Sequence, residues 1–223
     1  KPGVAESWTI SDDGRIYTFK LRENARWSNG DPHNAHDYVW SWWRALQPAL
    51  GNLYAYMYFS IENAQEYYEG TVTDFDQVGV KALDDYTLQV TLSNPTPYFL
   101  QLLDHYSLYP VHRATVEKFG AADERGTRWT YEGNNVGNGA FQLLDWKINR
   151  RVTVQRNPYY WNTDSVRLNQ IVFYPTENVV SEERMFRAGQ LHRTSTIPAD
   201  KIPVYLEAKD SSLHIAPYLG TYF

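Results

Sequence analysis

Three side chains near a helix start are spaced as metal ligands could be: His33, His36 and Asp37. Two imidazoles three residues apart can share a face, with the carboxylate beside them. Bound zinc takes three or four protein ligands, and no third ligand joining the two His is evident. Asp12-Asp13 and Asp84-Asp85 are adjacent acids, and carboxylate pairs can do acid–base work on sugars. Both pairs sit in turn sequences, where Asp is favoured for its local hydrogen bonds. Glu182-Glu183 lies near a helix start and suits the helix dipole. Neither a Gly-x-Ser-x-Gly elbow nor a Walker loop is present, and Gly137-Asn138-Gly139 is too short for a dinucleotide loop. With no Cys, disulfides, thiolate metal sites and thiol nucleophiles are excluded. The residues therefore predict a protein that is not an enzyme and uses no cofactor and no structural metal.

Aromatic surface is what the chain has in excess. Its 18 Tyr, 9 Phe and 8 Trp make 16% of 223 residues. Such side chains pair an apolar body with a polar tip and recur where a partly polar ligand is held. A formal charge of −5 argues against nucleic acid as the main partner, since phosphate binding needs surplus basic surface. No apolar run approaches the roughly 20 residues of a membrane span. The proportions, 43% hydrophobic and 21% charged, are those of a globular chain of one to two domains.

The elements that must position these residues are readable from periodicity. Tyr17, Phe19 and Leu21 alternate with polar residues, which predicts a half-buried strand. Asn34 can cap a helix with Asp37 near its positive end; Tyr38, Val39, Trp42, Trp43 and Leu46 form its apolar stripe, and Pro48 stops it. A second helical region is expected from Leu53 to Tyr68. A hairpin follows at Val80–Leu83 and Thr87–Leu92, turning at Asp84-Asp85, and short helices are expected at 98–103 and 114–119. Glycines mark a loop-rich joint at 112–139. Strands are expected at Phe141–Trp146, Val152–Gln155 and Gln170–Tyr174, and a helix at Ser181–Ala188 with Gly189 as its left-handed cap. The class is mixed α/β.

Several stretches together carry a resemblance. They are Pro2-Gly3-Val4-Ala5-Glu6-Ser7-Trp8, Asp12-Asp13-Gly14, Tyr17-Thr18-Phe19-Lys20-Leu21-Arg22 and Ala25-Arg26-Trp27-Ser28-Asn29-Gly30-Asp31-Pro32. Later ones are Gly137-Asn138-Gly139-Ala140-Phe141, Arg156-Asn157-Pro158-Tyr159-Tyr160-Trp161, and Glu183-Arg184 with Ala188-Gly189-Gln190-Leu191. In this order they resemble the extracellular solute-binding proteins, family 5, of bacterial ABC importers. The likeness is to its periplasmic oligopeptide-binding members, murein-peptide binders among them. Asn34 stands where the family usually has a hydroxyl residue, and Gly220 where some members carry a disulfide-forming Cys.

The resemblance implies an incomplete periplasmic-binding-protein-like fold of type II. Residues 1–112 would be an inserted small α+β domain, 113–216 part of the first α/β lobe, and 217–223 the start of the crossover to a second lobe. It also implies a first ligand-facing strand before Lys1 and a second lobe after Phe223. The implied function is capture of oligopeptides in an inter-lobe cleft and delivery to an ABC transporter permease. The full-length protein would be a monomer in the periplasm, or at the extracytoplasmic face of the membrane if lipid-anchored. Carried across by position, the implied ligand-binding residues are Tyr54, His105, Tyr218 and Tyr222. Other ligands served by the scaffold stay open: murein tripeptide, dipeptide, nickel chelate or haem. From a different class, a carbohydrate-active enzyme using paired carboxylates stays open too.

Overall fold

The computed structural model describes residues 3–216. The chain divides into two compact units, Lys1–Phe173 and Tyr174–Phe223.

The first unit opens with β1 (Ala5–Ile10) and β2 (Ile16–Leu21), joined by a turn. Its capped helix α1 (Ala35–Ala45) runs as the periodicity predicts, and β3 (Val80–Asp84) and β4 (Thr87–Thr91) form the predicted hairpin. These strands make one antiparallel sheet in the order β1-β2-β4-β3. Tyr17, Phe19 and Leu21 of β2, with Leu88 and Val90 of β4, turn one face of it inward. Trp42 and Leu46 of the α1 region, Tyr58, Ile61 and Phe99 complete that core. Asn34 caps α1 in a reciprocal box: its side chain accepts from His36 N, while Asn34 N donates to the Asp37 carboxylate.

The acid pairs are turn residues. Asp13 accepts from the Ser11 hydroxyl and from Arg15 N, and Asp84 accepts from Tyr86 N. These hydrogen bonds hold both exposed carboxyls below the usual carboxylate range. A general acid needs the opposite shift.

Between the hairpin and α1 the chain departs from expectation. In place of a helical region over 53–68 there is a 3-10 turn, Ala55–Tyr58, and a short helix α2 (Ala64–Tyr68). The backbone between them is committed to the sheet. Ile61 bridges Leu92, Glu62 N donates to Thr91 O, and Asn63 takes a left-handed conformation at φ 58°. Glycine is required next door by close approach: a Cβ on Gly79 would lie 2.3 Å from the Thr91 carbonyl oxygen. Strand β1 was not evident from periodicity because it is an edge strand with no regular alternation of burial, and Ile10 is left exposed.

After α3 (Phe99–Leu102) and α4 (Arg113–Phe119), a second antiparallel sheet forms from β5 (Phe141–Lys147), β6 (Arg151–Arg156) and β7 (Gln170–Phe173). Within the first unit, a buried knot ties this later stretch to the earlier one. Asn138 Nδ2 donates to His33 Nε2 at 3.2 Å, and Ser28 N donates to Gly137 O at 2.8 Å. The Trp27 ring packs against two imidazoles, 4.8 Å from His33 and 5.2 Å from His112, and its Nε1 donates to Asp37. His112 Nε2 is 3.1 Å from Asp31, and its Nδ1 is 2.7 Å from the Thr115 hydroxyl.

His33, His36 and Asp37 thus do not converge. His33 is fully buried on Asn138, His36 faces the Asp85 carboxylate at 3.3 Å, and Asp37 caps α1. Among the described residues no group of three or more His, Asp or Glu is arranged to hold a metal ion.

The second unit holds α5 (Val179–Arg187) and α6 (Ile202–Glu207). Gly189 takes the expected left-handed conformation, φ 72°. Glu183 of α5 is buried and accepts from the Tyr205 hydroxyl of α6 at 2.8 Å. Periodicity did not reveal α6, a six-residue helix with Pro203 in its first turn. No helix among the described residues is long and apolar enough to cross a membrane.

Candidate functional site

Helix α1 is the base on which the site is built. Trp42 Nε1 donates to Leu108 O at 3.0 Å, and the Tyr58 hydroxyl donates to Ser107 O. Ser41 Oγ donates to Val111 O at 3.3 Å and accepts from Val111 N at 2.9 Å. These long-range bonds fix the segment 107–111 against the core, so the residue that opens its turn is fixed as well. That residue is His105. It caps the 3-10 turn Tyr106–Leu108, with Nδ1 accepting from Ser107 N at 3.3 Å and lying 2.8 Å from Ser107 Oγ. An accepting Nδ1 assigns the ring proton to Nε2.

Tyr54 comes from a separate segment. Its N donates to Asn52 Oδ1 at 3.0 Å, and Asn52 Nδ2 donates to Ala45 O at the end of α1. The Tyr54 ring then stands 4.8 Å from His105 and 5.5 Å, edge to face, from Tyr106. His105 and Tyr106 stack at 4.3 Å, and Tyr56 lies 6.1 Å from Tyr54. Tyr54 and His105 are half-buried, whereas Tyr56 and Tyr106 are exposed. The Tyr106 phenol is held above its ordinary pKa, chiefly by hydrogen bonding with Tyr54.

Sequence reading therefore named two residues that the fold brings together, Tyr54 and His105. It missed Tyr56 and Tyr106, whose only signal was adjacency to those two in a Tyr-rich stretch. Tyr218 and Tyr222 lie outside the described residues.

Chemically, the cluster is a rigid platform of aromatic faces with phenol and imidazole edges. It can stack on a ligand and exchange hydrogen bonds with it. The Ser107–His105 contact closes a local cap, and among the described residues no carboxylate is bonded to His105 to orient it as a base.

Over residues 1–223 the chain matches the family model of the bacterial extracellular solute-binding proteins, family 5 Middle. It is 40% identical over its full length to the periplasmic oligopeptide-binding protein OppA of Escherichia coli. It is 35% identical, again over its full length, to the periplasmic murein peptide-binding protein MppA of the same organism. The chain spans 40% of the length of each of these relatives. Among solved structures, Haemophilus influenzae OppA in complex with RPPGFSPFR aligns with a TM-score of 0.85 at 36% identity, over 95% of this chain and 40% of that one. The unliganded open form of MppA aligns at 0.85 and 35% identity, over 94% and 39%. These neighbours carry the mixed α/β fold of type II periplasmic binding proteins, of which this chain has a part.

Proposed function

Because the chain belongs to the bacterial extracellular solute-binding proteins, family 5, we propose that it is part of an extracytoplasmic protein that captures oligopeptides. Capture takes place in a cleft between two lobes, followed by delivery to the membrane permease of an ABC importer. The protein works in the periplasm, or at the outer face of the membrane if lipid-anchored, as a monomer. Residues 1–112 act as the inserted domain and 113–216 as part of the first lobe.

The observation that carries this reading is the half-exposed cluster of Tyr54, His105 and Tyr106 on a fixed base. A binder of varied peptides must read the repeated backbone by hydrogen bonds and meet side chains with tolerant surface. Phenol edges supply the bonds, and aromatic faces supply the surface. Tyr54 and His105 touch ligand here. Names of relatives support the ligand class: oligopeptide for OppA and murein peptide for MppA. The paired acids lend nothing to a glycosidase reading, since one carboxyl of each pair, Asp13 and Asp84, is exposed, spent on turn hydrogen bonds and held low.

Tyr54→Ala in the full-length protein is expected to weaken peptide binding by about 1–3 kcal/mol, through lost stacking and a lost hydroxyl bond. Its melting temperature should stay near wild type, since Tyr54 sits at the edge of the core. Calorimetric titration and thermal unfolding of the same variant give both readouts. A lowered melting temperature with unchanged affinity would make Tyr54 a packing residue and remove it from the site.

A further inference from the structure

A cleft adjoins the cluster at Tyr56. It is a cleft of about 520 Å³ between the 3-10 turn Ala55–Tyr58 and the loop leading into α3. That volume is within the range of about 300–1,000 Å³ found for small-molecule sites. Tyr56 and Tyr98 wall it, and both rings are largely exposed, at 56% and 60%. Leu102 supplies apolar surface, and Ser60, Ser93 and Asn94 supply polar groups.

Two features of this cleft are chemically specific. The Ser60 hydroxyl is out of solvent and has no hydrogen-bond partner among the described residues. A buried hydroxyl left unpaired is costly, and a turn of the Ser60 side chain toward a ligand group in the cleft would relieve it. The side chains of Ser93, Asn94 and Tyr98 also make no hydrogen bond among the described residues. The second feature is charge: none of the ten residues lining the cleft is ionisable to a full charge at neutral pH. A charged group entering would lose its hydration with no counter-ion on the walls. An uncharged planar group would stack between the tyrosines and pair with the hydroxyls and amide.

We propose that this cleft is a specificity subsite for an uncharged planar side chain, phenol or carboxamide, of the captured peptide. It rests on the peptide-binding reading above and adds a selectivity that reading does not contain. Tyr56 lines the cleft and its ring stands 6.1 Å from that of Tyr54, so the two surfaces adjoin.

The test is calorimetric titration of full-length protein with tetrapeptides of alanine carrying one Tyr, Gln, Lys or Glu at each position in turn. At one position, Tyr and Gln peptides should bind about tenfold more tightly than Lys and Glu peptides, a difference of about 1.4 kcal/mol. Tyr98→Ala and Ser60→Ala should each erase that preference and leave affinity for tetra-alanine unchanged. Ser60→Ala should also melt no lower than wild type, because it deletes an unpaired buried group. Exposed Tyr98 makes its variant safe for folding. Peptide binding without the preference, or a preference that survives both substitutions, overturns the subsite while leaving peptide capture intact. Binding of no peptide by wild type overturns both.

Discussion

Trp42→Ala is expected to remove about 3–5 kcal/mol of folding stability, the range for emptying a buried aromatic site. Trp42 is 2% exposed and packs edge to face on Tyr38 and Tyr58, with ring centroids 6.3 and 5.8 Å away. Its indole N–H also satisfies the Leu108 carbonyl. Truncation leaves both a cavity and an unpaired buried acceptor, which pushes the loss toward the upper end. Such a loss is a large share of the roughly 5–15 kcal/mol that holds a domain together. Trp42→Phe keeps most of the volume and should lose less. Urea unfolding of the two variants checks this. A Trp42→Ala loss below about 1 kcal/mol would mean that α1 does not anchor the 105–111 segment.

Acid should loosen the same unit through His33. Its ring is fully buried, and burial together with the nearby His112 pulls its pKa down from 6.5 to about 4. The unfolded chain therefore takes up this proton first as pH falls. Stability is full above about pH 6.5, drops through the interval to about pH 4, and levels off below, a total of about 3 kcal/mol. The groups facing this knot are His112, Asp31 and Asp37. The Asp37 carboxyl is raised by burial, so its protonation acts in the opposite sense. His33→Leu should remove the slope between pH 6.5 and 4. Denaturant titrations at intervals across that window decide it, and an unchanged slope in the variant would assign the acid sensitivity elsewhere.

Much of the scaffold was legible because its cues are local. Asn34, Asp37 and the Trp42 stripe lie within one helix, and Asp84-Asp85 turn one hairpin. What was not legible depends on distant partners. Nothing near Ile61 announces that Leu92 will claim its backbone and break the expected helix. The Trp27, His33, His112 and Asn138 knot is assembled from residues far apart in sequence, so spacing alone offered only a false metal pattern. For the site, periodicity was silent. Tyr54 and His105 came from family resemblance, and only the fold added Tyr56 and Tyr106.

Peptide capture itself is tested most directly by releasing and identifying, by mass spectrometry, whatever co-purifies with the full-length protein, then titrating it back. The expected result is a mixture of short peptides, about one per protein molecule, that rebinds at micromolar Kd or tighter, about −8 kcal/mol. Recovery of a non-peptide ligand that rebinds, with no response to peptides, would contradict it.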